Sequence, residues 1–179
     1  MDVTTEYMNQ KARIIDMFLR TFTQSEGEEA GVEIRDLVAD MLASLEGDDL
    51  HVFSAVAGEE ILASIFFTPV TYAEDPRNVY ILSPVAVAPE HQGKGLGQRL
   101  IRHALGALRD VGVDIALTYG DISFYSKVGF SQISEAQAQA PQPLSYPEGW
   151  LGQSLTAQPF TPLAGPSRCV GPLDNPAHW

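Results

Sequence analysis

Apolar residues recur every three or four positions over two stretches near the N-terminus. Tyr7, Ile14, Ile15, Phe18, Leu19 and Phe22 make the first, and Ile34, Leu37, Val38, Met41, Leu42 and Leu45 the second. That spacing keeps each set on one helical face, so helices are predicted over about 5–22 and 34–45. Gly27, Gly31 and the acidic run between them interrupt the pattern, and Gly47-Asp48-Asp49 closes it. A short strand is predicted near Val3. The pattern then changes period. Residues 50–56 and 61–70 are alternating or continuously apolar, with Gly58-Glu59-Glu60 between them. They read as a β-hairpin. A polar loop follows, then a strand over 79–87. From Leu96 to Val111 the helical period returns: Leu96, Leu100, Ile101, Ala104, Leu105, Leu108 and Val111 share one face, and Arg99, Arg102, Gly106 and Arg109 the other. Gly112 is placed to end this helix as a C-cap.

A buried strand is predicted over 113–119. Next comes a short helix N-capped by Asp121, whose carboxylate can accept the amide of Ser123 or Phe124. Another strand starts at Phe130. Residues 136–143 alternate Ala, Gln and Pro and read as a loop, and Leu155–Phe160 as the last strand. Residues 161–179 hold four prolines and two glycines. An irregular tail is expected there. Leu173 and Trp179 either pin it to the surface or to a second subunit, or leave it disordered. One proline stands apart: Pro84 falls inside the strand over 79–87. Proline cannot donate to a ladder, so an edge or a bulge is expected at this point.

Composition narrows the picture. A chain of 179 residues, 45% hydrophobic, suffices for one domain with a sizeable core. The single cysteine, Cys169, excludes an internal disulfide. No basic, apolar leader opens the sequence, and no apolar run approaches membrane-spanning length. A cytoplasmic protein with no membrane partner is expected. The net charge of −12 argues against nucleic acid as a partner. Yet Lys94, Arg99, Arg102 and Arg109, four of eleven basic residues, gather on one turn and its helix. A polyanion would favour that spot and an amine the acidic remainder. For Arg102 and Arg109 a solvated helix face is the simpler reading.

That turn carries the chemistry. Gln92-Gly93-Lys94-Gly95-Leu96-Gly97-Gln98 lies between a strand and a helix, where bare amides meet the positive end of a helix dipole. It is not a nucleoside-triphosphate loop: Lys94 precedes Gly95 and no Ser or Thr follows. It is not a dinucleotide loop either, because Gln98 stands where the third glycine belongs. Gln92, Gly95 and Gly97 instead fit Gln/Arg-x-x-Gly-x-Gly/Ala. Just before it stands Val85-x-Val87-x-Pro89, and about a helix and a strand later comes Gly120-Asp121-x-x-Phe124-Tyr125-x-x-x-Gly129-Phe130.

This combination resembles the Gcn5-related N-acetyltransferases (GNAT), and within them an uncharacterised bacterial branch. The resemblance is firm over about residues 50–132. It implies an α/β (α+β) fold with a mixed, mostly antiparallel central sheet, flanked by helices and splayed around a bulged strand at Pro84. It implies an N-acetyltransferase domain over 1–160, followed by the tail at 161–179. Acetyl-coenzyme A would be the co-substrate, with its diphosphate on residues Gln92, Gly93, Lys94, Gly95, Leu96, Gly97 and Gln98. Its pantetheine arm would pair with the backbone of Val85, Ala86 and Val87 like an added strand. Tyr125 matches the family tyrosine that points at the cofactor sulfur, which makes it the catalytic residue. The expected reaction is direct attack by an amine on the thioester in a ternary complex.

The acceptor stays open between a small amine, a peptide N-terminus and a lysine. Two alternatives also stay open: an acyl-coenzyme A-binding module without catalysis, and transfer of another acyl group. A homodimer is a further option. No metal-ligand spacing and no Ser-His-Asp set is present, so no metal is expected. The base has no clear candidate. His51, His91, His103 and His178 lack an evident partner set, and Glu74, Asp75 and Ser83 lie near where the family often receives its acceptor.

Overall fold

A computed structural model describes residues 1–179. Its seven-stranded mixed sheet uses β1 (Asp2–Thr4), β2 (His51–Ala57), β3 (Glu60–Pro69), β5 (Val79–Val87), β6 (Ile115–Tyr119), β7 (Ser131–Gln132) and β8 (Trp150–Ser154). The strand order is β1-β2-β3-β5-β6-β8-β7. The β1–β2, β2–β3, β6–β8 and β7–β8 pairs are antiparallel, and β5–β6 is parallel. The chain forms two compact units, Met1–Phe67 with Pro84–Ile101, and Thr68–Ser83 with Arg102–Trp179. No helix is long and apolar enough to cross a membrane.

In the first unit the hairpin turns at Gly58, whose φ of +58° suits glycine. Helices α1 (Lys11–Glu26) and α2 (Glu28–Ser44) bury Ile14, Met17 and Phe18, and Leu37, Val38, Met41 and Leu42. Phe18 meets Phe66 of β3 edge-on at 5.6 Å. The second helix is longer than its apolar pattern suggests. Gly27 alone makes the break, and Glu28 and Glu29 then sit favourably in the first turn of α2. Gly31 lies inside that helix. A Cβ there would overlap the Thr23 hydroxyl and come within 3.0 Å of the Thr23 backbone nitrogen, so the glycine lets α1 and α2 approach.

In the second unit, α3 (Leu96–Asp110) enters from the first and stops in a Schellman arrangement. Gly112 donates to Arg109 O (3.1 Å) and Val113 to Leu108 O (3.0 Å). Val111, counted on the apolar face by its spacing, is therefore thrown outward and is 70% exposed. The last main strand is Trp150–Ser154, not Leu155–Phe160. Leu155 still donates to Asp114 O (2.8 Å), after which the chain turns away. Gly152 hid this strand from the apolar pattern. A Cβ there would press on Phe160, Ile133 and Leu117, at 2.9 to 3.2 Å.

Residues 161–179 pack within this unit. Strand β9 (Ser167–Arg168) pairs with β4 (Thr71–Tyr72). Leu173 and Trp179 are buried, and the Trp179 indole donates to Leu173 O at 2.8 Å. All five N–H donors of Arg77 are used: two on the Asp75 carboxylate, two on Thr161 and one on Pro162 O. The Arg77 guanidinium holds the Asp75 carboxyl at about 2, below its ordinary 3.8. The stability this pair contributes is therefore present above about pH 4 and lost as pH falls toward 2. Asp75→Asn is expected to cost about 3 kcal/mol at neutral pH. In thermal melts between pH 2 and 5 the wild-type advantage should shrink at the acid end. A constant gap would mean the carboxylate is not the clamp.

Candidate active site

The parallel β5–β6 ladder runs from the Val79–Ile115 pair to Leu82–Thr118. Two residues on is Pro84, with no amide hydrogen to offer. Past the end of β5, Ala88 donates to Leu62 O (2.9 Å). A short 3₁₀ turn over Pro89–His91 then leads into the glycine turn. The Gln92 side chain reaches back and donates to Val87 O at 2.9 Å, tying the turn to the strand end. The carbonyl of Val87 thus already accepts one hydrogen bond within the chain. Lys94 is also engaged, its ammonium donating to Glu90 O at 3.0 Å.

Gly93 and Gly95 have φ of +72° and +73°. A Cβ at either would meet nothing within 4 Å, so backbone conformation rather than crowding demands glycine. The first bond of α3 runs from Arg99 N to Gly95 O at 3.1 Å. The amides of Leu96, Gly97 and Gln98 therefore lack helical partners, at the positive end of a 15-residue helix. Of the four clustered cations, Arg102 donates to Lys127 O and Arg109 to Leu155 O, each at 2.7 Å. They are anchors for the second unit. Arg99, in the first turn, stays exposed.

The second unit places Tyr125 at the end of helix α4 (Ile122–Tyr125). Asp121 caps that helix as the sequence predicts, accepting Ser123 N at 2.8 Å. Gly129, at φ +97°, turns the chain back, and Phe130 N donates to Tyr125 O at 3.2 Å. The half-buried ring of Tyr125 meets Phe124 at 5.0 Å and Phe130 at 5.8 Å, both edge-on. Burial pushes its phenol up to about 12, against a hydrogen bond with the Thr118 hydroxyl, and the nearby Asp121 charge adds to the rise. Thr118 is fully buried and donates to Leu82 O at 2.8 Å. Nothing in the sequence singled out Thr118.

Asp75 drops out as a base for the acceptor. A carboxyl held near 2 by a guanidinium has little affinity for a proton. His91 is drawn instead to Glu60, at 3.4 Å, while Glu90 faces Arg20 at 3.7 Å. That cluster joins residues thirty and more apart, which spacing along the chain does not reveal.

The acetyltransferase (GNAT) family model matches residues 11–130, a span that takes in the glycine turn and the Tyr125 segment. The chain belongs to the GNAT acetyltransferase family. Membership makes it an N-acetyltransferase. A relative from Escherichia coli K12, the uncharacterized N-acetyltransferase YjhQ, is 37% identical over 150 residues, covering 78% of this chain and 81% of YjhQ. The GNAT enzyme YhbS of E. coli, crystallised with coenzyme A, superposes with a TM-score of 0.81 at 19% identity, covering 97% of this chain and 92% of that one. A GNAT acetyltransferase from Brucella melitensis, crystallised with acetyl-coenzyme A, gives 0.74 at 22% identity, covering 97% of both chains. At these identities the two structures speak for the GNAT fold, whose mixed sheet and flanking helices this chain shares.

Proposed function

We propose that this GNAT enzyme transfers the acetyl group of acetyl-coenzyme A to an amine by direct attack in a ternary complex. The acceptor is a small amine or a peptide amine. One observation carries the reading: a turn with two glycines at positive φ leaves consecutive amides without partners at the start of a 15-residue helix. Such a terminus fits a diphosphate. Residues Gln92 to Gln98 are assigned to it. Val85, Ala86 and Val87, beyond the proline inside β5, are assigned to the pantetheine arm. The Val87 carbonyl already serves Gln92 with one of its two lone pairs.

Holding the thioester beside the amine contributes most to the rate, roughly 7–11 kcal/mol. Tyr125 is assigned to the leaving sulfur. The amine must arrive neutral, and an α-amine with pKa about 8 meets that condition far more often at pH 7 than a lysine near 10.4. The test is calorimetry with coenzyme A and acetyl-coenzyme A, joined to a thiol-release assay over a panel of amines. Heat with both cofactors and release with at least one amine are expected. No heat with either would overturn the reading.

A further inference from the structure

The motif around Tyr125 opens with a glycine whose conformation does not require it. Gly120 is absent from the eight positive-φ glycines, so its φ does not demand glycine. What excludes a side chain is the catalytic ring. A Cβ on Gly120 would stand 2.9 Å from Cε2 of Tyr125, 3.6 Å from Cδ2 and 3.8 Å from Cζ. Carbon atoms at rest lie about 3.5–4.0 Å apart, so the ring would have to move. The contact falls on the Cε2 edge of the ring, with Cε2 bonded to the carbon that bears the hydroxyl. Phe124 and Phe130 flank the same ring, so it has little freedom to slide without disturbing them.

Gly120 is itself held by a second glycine. Its amide donates to Gly149 O at 2.9 Å. A Cβ on Gly149 would stand 3.0 Å from Gly120 O and 2.7 Å from the ring of Tyr146. Gly149 is also free of positive φ. Two bare backbones thus lie against each other, with a tyrosine ring on each. Side chains at either place would push on Tyr125, directly or through the Gly120 carbonyl.

We infer that Gly120, backed by Gly149, is a positioning residue that fixes where the Tyr125 hydroxyl sits. This rests on the assignment of Tyr125 to the leaving sulfur. A displacement of about 1 Å at a reacting group can cost about 10²-fold in rate. Gly120 would act through Tyr125 alone, and a double-mutant cycle isolates that dependence.

The experiment measures kcat and the KM for acetyl-coenzyme A in wild type, Gly120→Ala, Tyr125→Phe and the double variant, with a thermal melt of each. Gly120→Ala is expected to lower kcat about 10- to 100-fold with KM changed less than about threefold. Added to Tyr125→Phe, the same substitution should change kcat by less than about threefold. An equal loss in both backgrounds would overturn the inference while leaving Tyr125 in its role, and so would an unchanged kcat in Gly120→Ala. Unchanged kcat in Tyr125→Phe alone would remove the assignment beneath it. Where Gly120→Ala does not fold, Gly149→Ala enters the same cycle. The exposed Tyr146 ring can swing aside there, and the substitution should give a smaller loss with the same dependence on Tyr125.

Discussion

Valine at position 95 is expected to weaken acetyl-coenzyme A binding by about 100-fold or more while the protein stays folded. Gly95 sits at φ +73°, a region that β-branched residues avoid. Holding valine there costs about 1–3 kcal/mol, so the turn would rather open and redirect its amides. Each amide on a charged phosphate oxygen contributes about 1.5–3 kcal/mol. Misdirecting two of them removes about 3–6 kcal/mol, and each 1.4 kcal/mol is a factor of ten in affinity. The helix behind the turn should survive, because Leu96, Leu100, Ile101 and Ala104 keep it buried in the core. Calorimetry reads the affinity and a thermal melt the fold. Wild-type heat from Gly95→Val would take the turn out of cofactor binding.

Tyr125→Phe is expected to lower kcat by about 10²–10⁴-fold, with the KM for acetyl-coenzyme A little changed. The environment defines what the hydroxyl does. With its phenol at about 12, Tyr125 is a weaker acid than an unperturbed tyrosine at 10. A thiol titrates near 8.5, so full transfer of the proton to sulfur is uphill by about 3.5 units, or about 5 kcal/mol. On the proposed assignment Tyr125 therefore donates a hydrogen bond that strengthens as charge gathers on sulfur, and solvent completes the protonation. The pH profile follows from the same shift. The hydroxyl must stay protonated, and it does so until pH nears 12. Rate should rise as the amine loses its proton and show no alkaline fall between pH 9 and about 10.5. Steady-state kinetics on both proteins across that range provides the check. A fall centred near pH 10, absent from the phenylalanine variant, would show an ordinary phenol and contradict the burial.

Legibility differed between the two ends of the chain. The glycine turn, the helix after it and the Asp121 cap were written in local spacing. Each depends on residues within a few positions of one another, where φ preference and capping chemistry operate. The strand Trp150–Ser154 was not legible. Its pairing with β6 joins residues more than thirty apart, and Gly152 interrupts the apolar run for a reason that lies in Phe160, Ile133 and Leu117. Gly31 misled in the same way. It breaks a helical pattern on paper and closes a helix pair in space.

By itself the sequence determined the family and the strand-turn-helix proposed to take a diphosphate, and it singled out Tyr125 for the proposed catalytic role. These rest on order along the chain, and short-range sterics suffice to express them. Only the tertiary structure decided what those residues have left to offer. It engaged the carbonyl of Val87 with Gln92 and one donor of the Lys94 ammonium with Glu90, and locked Asp75 to Arg77. It sank the phenol of Tyr125 against Phe124, Phe130 and a bare glycine. Availability and acidity are set by burial and by hydrogen-bond geometry, and neither exists until the chain has folded.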